Sequence, residues 1–173
     1  MSTNVQRPLS SVASQASSVE RPNAHVDRVL VVDDEISIRT TLRAFLQDAG
    51  YQVDVAEDAQ RALERLAAGD YDVVLSDIVL PGASGVELLK AIRDASPPDI
   101  QVIMMTGEPN VATAAEAVRT GASDYLTKPV GKEAVLTAVK RAAETKRIHD
   151  ENKRLHEENQ RYQENLEQMV AQR

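Results

Sequence analysis

The chain is 173 residues long, with a formal net charge of −7, 42% hydrophobic residues and no cysteine. The acidic balance argues against a non-specific nucleic-acid surface, and the lack of cysteine excludes disulfides and thiolate metal sites. No apolar run approaches the roughly 20 residues of a membrane span, and the first residues lack the apolar core of a signal peptide, so a soluble, cytoplasmic protein without membrane contact is expected.

In chain order, residues 1–26, MSTNVQRPLSSVASQASSVERPNAHV, carry too little apolar surface to offset the entropy of ordering and read as a disordered leader. RVLVV follows as a continuous aliphatic strand, then a helix pattern at Ile38, Leu42, Phe45 and Ala49. YQVDV is a mixed strand, followed by a helix with Ala59, Ala62, Leu63 and Leu66 inward. DVVLS and QVIMM are again continuous, separated by a helix on Val86, Leu89 and Ile92. A fourth helix is expected to bury Val111, Ala114, Ala115 and Val118, before the mixed strand SDYLT. Gly50, Gly69 and Gly121 stand where helices should stop. Continuous aliphatic strands suit the centre of a parallel sheet covered on both faces, and mixed ones suit its edges. Strict alternation of strand and helix therefore predicts a doubly wound α/β fold with three central and two outer strands.

Such sheets bind ligands at the carboxyl ends of their strands. Those ends here carry Asp33 and Asp34, Asp77, Thr106, and Lys128 before Pro129. Taken singly, Asp34 reads as a helix cap, Asp77 and Thr106 as turn residues, Lys128 as a solvated loop lysine and Tyr125 as edge packing. Their conjunction on one sheet edge is what carries function. Three converging carboxylates repel unless a cation joins them, and a hard divalent ion such as Mg²⁺, together with the one lysine, balances their charge.

The segments VLVVDDE, DVVLSDIVLPGASGVELL, VIMMTGE and DYLTKPV, in that order and spacing, resemble the receiver domain of bacterial two-component response regulators over residues 27–143. The resemblance implies a flavodoxin-like five-stranded parallel sheet of order 2-1-3-4-5 with helices on both faces. It implies that Asp77 is the phosphoacceptor, and that Mg²⁺ is held by Asp33, Asp34, Asp77 and the backbone carbonyl of Val79. By the same resemblance Lys128 contacts the incoming phosphoryl group, Thr106 and Tyr125 form a switch pair, and a histidine kinase or phosphotransfer protein is the donor. A module of this kind is a switch and not a turnover enzyme. Its sequence departs mildly from the family pattern at Gly107 and Val79.

After Gly131 no Gly or Pro appears, so residues 132–173 can run as one helix. Val135, Val139 and Ala142 give its first part a core-facing stripe. With Asn152, Asn159 and Leu166 at heptad position a, Ile148, Leu155, Tyr162 and Met169 fall at d, and asparagine at a favours a parallel, in-register pair. Residues 144–173 are thus expected to extend the fifth helix into a coiled coil, and the chain to form a homodimer through 145–173. His149 and His156 fall at position e and read as solvated. The string KRAAETKR is interleaved with acids and does not read as a DNA-binding region. An alternative is the input half of a regulator whose output, a cyclic-di-GMP phosphodiesterase, a diguanylate cyclase or a sensor kinase, lies beyond residue 173.

Overall fold

A computed structural model describes residues 25–95 and 99–172, so most of the expected leader, residues 1–24, lies outside the described residues. Five parallel strands, β1 (Arg28–Val32), β2 (Gln52–Ala56), β3 (Val73–Asp77), β4 (Gln101–Thr106) and β5 (Asp124–Thr127), form one sheet in the order β2-β1-β3-β4-β5. The three continuous aliphatic strands are central and the two mixed ones are the edges, as their sequences require. Every residue of β3 and β4 is buried, whereas β5 is only half-buried along most of its length.

Helices α1 (Ile36–Asp48), α2 (Ala59–Ala68), α3 (Gly85–Ala95), α4 (Val111–Thr120) and α5 (Lys132–Ala171) cover the sheet from both sides. Because successive strand residues point to opposite faces, each strand feeds two cores. On one face Val29, Val31, Leu75 and Met105 meet Leu42 and Leu46 of α1 and Val135 and Val139 of α5. On the other, Leu30, Val32, Val74 and Met104 meet Ala62 of α2, Leu88, Leu89 and Ile92 of α3, and Ala117 of α4. Local chemistry fixes the helix ends. Asp58 and Asn110 cap α2 and α4 by accepting N–H bonds from Arg61 and Thr113, and Gly121 closes α4 at φ +102°, a conformation costly for residues with a Cβ.

One face differs from the sequence expectation. In α4 Ala117 is buried and Thr113, Ala114, Ala115 and Thr120 are half-buried, so the expected Ala114 and Ala115 do turn toward the body, while Val111 and Val118 are 87% and 66% exposed. The helix is turned so that its small residues, which allow close approach to the sheet, face inward, and its two valines form an outer strip. Leu63 of α2 is likewise exposed, with Ala59 and Ala62 making the buried contact.

The fifth helix is continuous over 40 residues, about 60 Å at ~1.5 Å per residue. Val135, Ala138, Val139, Ala142 and Ala143 are its buried residues. Beyond them its buried apolar packing ends, and Ile148, Leu155, Tyr162, Leu166 and Met169 lie on it as exposed apolar residues. Among the described residues no helix is long and apolar enough to cross a membrane.

Candidate functional site

Four of the strand ends meet at the top of the sheet. β1 delivers Asp33 and Asp34 immediately after Val32, and β3 ends on Asp77. β4 ends on Thr106, and the turn after β5 carries Lys128, whose backbone N–H donates to the Thr106 carbonyl at 2.7 Å. The Lys128 ammonium donates to Asp33 Oδ2 at 2.6 Å and to Asp77 Oδ2 at 2.7 Å, binding the two buried carboxylates together. Burial works against that charge, but the bonds to Asp33 and Asp77 outweigh it and hold the Lys128 pKa above the ordinary lysine value.

The remaining carboxylate oxygens are also placed. Asp33 Oδ1 accepts the Glu35 N–H at 2.9 Å, and Asp77 Oδ1 accepts the Val79 N–H at 3.1 Å. Asp34 is exposed and makes no cap: the N-cap of α1 is Glu35, without a side-chain bond to the helix. Oxygens of Asp33, Asp34 and Asp77 all lie within 4.8 Å of one another. One ammonium cannot neutralise three carboxylates at this distance. The donor set is entirely oxygen, with two buried carboxylates and one open to solvent, and it fits a hard divalent cation such as Mg²⁺ that keeps water on its open side. The residues singled out from the sequence as a metal and acceptor site are therefore together in space.

Thr106 is almost wholly buried, and its hydroxyl oxygen accepts the Glu108 N–H at 3.1 Å, which leaves its own proton free to donate. Tyr125 stands opposite Met104 in the β4–β5 register, two residues before the Thr106–Thr127 pair, so Tyr125 and Thr106 share one face of the sheet. Its ring packs partly against the α2–α3–α4 core. The phenol oxygen is buried and finds no hydrogen-bond partner among the described residues. Such an oxygen costs about 1–3 kcal/mol, so the ring's inward place is not strongly preferred over one that reaches water.

Gly85 is a site residue to which the sequence reading gave no role. A Cβ on Gly85 would lie 2.0 Å from the Asp77 carbonyl oxygen and 2.9 Å from the Ile78 Cα. Backbone cannot yield to such a contact without moving, so only glycine lets the start of α3 close on the end of β3, where the Gly85 N–H reaches the Ile78 carbonyl at 2.8 Å. Spacing alone does not reveal this, since the clash exists only once α3 has docked. Arg39 of α1 also supports the site, donating to the Asp33 carbonyl at 2.6 Å.

Residues 29–140 match the response regulator receiver domain family. The transcriptional regulatory protein DltR of Streptococcus agalactiae is 39% identical over 113 residues, which is 65% of this chain and 50% of that protein. A CheY-like receiver domain protein from Methanospirillum hungatei superposes with a TM-score of 0.69 at 28% identity, covering 72% of this chain and 99% of that one. The beryllofluoride-activated NtrC4 receiver domain, solved as a dimer, gives a TM-score of 0.66 at 38% identity over 69% of this chain and 98% of that one. The chain spans about half the length of the DltR regulators it matches.

Proposed function

The chain belongs to the response regulator receiver domain family of two-component signalling, and from that premise we propose that Asp77 accepts a phosphoryl group, with Asp33, Asp34, Asp77 and the Val79 carbonyl holding Mg²⁺. The observation that carries this reading is the Lys128 ammonium, bonded at once to Asp33 and Asp77 beside the open carboxylate of Asp34. A carboxylate approaches a negatively charged phosphorus only where that charge is offset, and bound Mg²⁺ supplies part of the offset. Lys128 supplies the rest, turning from the Asp77 oxygen to the phosphoryl oxygens. An Asp77 oxygen forms the new O–P bond as the P–N bond to the donor histidine breaks, and the imidazole leaves with the bonding pair. The donor is a histidine kinase or phosphotransfer protein. A depression of about 210 Å³ lined by Ser37 and Thr41 as well as Ile38, Leu42, Pro129 and Val130 lies beside Lys128, where one or two side chains of the donor can rest.

Phosphorylation adds roughly one negative charge and three acceptor oxygens at Asp77. The free proton of Thr106 then has a charged acceptor, a bond worth about 1.5–3 kcal/mol, which shifts a two-state equilibrium roughly 10- to 150-fold. Tyr125, with its unsatisfied hydroxyl, is the residue that responds, and the strip of Val111 and Val118 on α4 is the surface it alters. The chain thus acts in the cytoplasm as a switch that assists its own phosphorylation. We infer that its output passes along α5 to a parallel homodimer built on residues 145–173. Two observations support the dimer, one unbroken helix and the exposed apolar residues at position d; the NtrC4 dimer is one of receiver domains and speaks only for pairing between receivers. Incubation with Mg²⁺ and acetyl phosphate should raise the intact mass by one phosphoryl group, and Asp77→Asn should show no increase; an increase that persists in this variant moves the acceptor elsewhere.

A further inference from the structure

The bottom of the sheet carries a second row of carboxylates. Asp27 precedes β1, Asp72 precedes β3, Asp99 lies two residues before β4, and Asp124 opens β5. All the strands are parallel, so these four share the edge opposite the phosphoryl site. α5 runs past this edge with a basic side. Arg147 binds both oxygens of Asp27, a residue only 7% exposed, and Lys153 reaches Asp99 at 3.8 Å. Asp72 takes the Arg28 N–H at 2.8 Å and His25 at 3.1 Å. His25, Asp27 and Asp72 are close enough to hold a metal, but their oxygens are already matched by Arg147, His25 and Arg28, so the row is an ion-pair contact.

The helix wheel gives this contact its meaning. At about 100° per residue, Ala143, Lys146, Arg147 and Asp150 fall on one side of α5, facing the body, with Lys153 on its flank. Ala143 is fully buried, and the Lys146 side chain is only 14% exposed. Ile148, Asn152, Leu155 and Asn159 fall on the opposite side. A second copy can therefore pair with the seam without displacing the contact, and the two receivers ride on the outer flanks of the pair.

We propose that the carboxylate row at the base of the sheet is a phase clamp: Arg147 on Asp27, aided by Lys153 on Asp99, locks the first turns of the tail to the receiver as one rigid body and fixes the seam's direction. The clamp and the phosphoryl site are joined by a single buried strand, since Asp27 and Asp33 are the residues immediately before and after β1. A displacement at Asp33 thus has a stiff route to Arg147. Without the clamp, α5 beyond Ala143 has no buried apolar contact to keep its orientation. The transmission half of the proposal rests on the homodimer reading; the rigid-body half does not.

The chain has no native cysteine, so spin labels can be placed at Lys90→Cys and Gln160→Cys, both exposed. Diluting doubly labelled chains in unlabelled protein restricts the measured distance to one molecule. The parent should give a single narrow distribution. Arg147→Ala should lose it, while Arg154→Ala, which removes an arginine whose partners among the described residues are Glu151 and Glu158 of its own helix, should keep it. Normal phosphorylation of Arg147→Ala confirms that the receiver is folded, and Asp27→Asn should reproduce its broadening. A broad distribution in the parent, a narrow one in Arg147→Ala, or equal broadening in both arginine variants overturns the clamp. Singly labelled Gln160→Cys dimers should show an inter-chain distance that beryllofluoride shifts in the parent but not in Arg147→Ala. If no inter-chain distance exists, the dimer reading fails while the intramolecular result still decides the clamp; if both proteins shift alike, the clamp does not transmit.

Discussion

The two ends of this sheet use the same residue types for opposite purposes. At the top, three carboxylates stand together with one ammonium, Lys128, which binds Asp33 and Asp77 and leaves Asp34 facing water. At the bottom, Asp27 and Asp72 are buried too, but each has its own partner: Arg147 for the first, His25 and the Arg28 N–H for the second. Excess like charge is a standing demand for a cation and an electrophile, whereas matched charge is a joint. Chemistry follows from the imbalance and mechanical coupling from the balance, although both ends belong to β1 and β3.

The contrast breaks if changes at the top cost stability and leave chemistry intact. Lys128→Ala should show the largest effect, slowing phosphorylation by acetyl phosphate about 100-fold or more, because on the proposed reading it removes the one ammonium that, among the described residues, binds Asp77. Mg²⁺ binding should survive in this variant, as calorimetric titration can show. Asp34→Ala should weaken Mg²⁺ at least about 10-fold in the same titration, since an exposed carboxylate is lost from the ligand set. In Mg²⁺-free buffer it should unfold no more readily than the parent, because like-charge repulsion is relieved; a loss near 1 kcal/mol would instead mark a structural cap.

Gly85→Ala sharpens the comparison by acting on geometry alone. Its Cβ must displace the Asp77 backbone or α3, so urea unfolding should show a loss of about 1–3 kcal/mol together with slower phosphorylation. The smallest effect is expected at Asp54 of β2, bonded to Arg28 at 2.8 Å and Tyr71 at 2.8 Å. Partial burial opposes its charge, but the Tyr71 and Arg28 bonds prevail and hold its carboxyl below the ordinary value. A depressed pKa stabilises the fold above the unfolded-state pKa, and the contribution fades as pH falls through the folded-state value. Asp54→Asn should therefore cost about 1 kcal/mol near neutrality, with the gap to the parent closing in acid, and phosphorylation should not change.

The sequence determined the alternation of strands and helices, the edge and central strands, and the convergence of Asp33, Asp34, Asp77, Thr106 and Lys128, because these depend on side-chain period and on the rule that parallel strands end on one edge. It also determined the unbroken fifth helix, where no residue interrupts the backbone bonding. The orientation of α4 was not legible: Val111 and Val118 satisfy a helical period as well as Ala117 does, and only the close approach permitted by small residues turned them outward. Gly85 was equally silent, since its clash is with a carbonyl that arrives through folding. The carboxylates at the lower edge looked like ordinary polar residues before and within strands. Their partner Arg147 lies 120 residues from Asp27 in the chain, and local pattern carries no information about a pair at that separation. Period and propensity act over a few residues and so can be read directly, whereas the pairing of the base with α5 exists only because the sheet, once closed, sets the start of β1 beside the fifth turn of a helix begun at its other end.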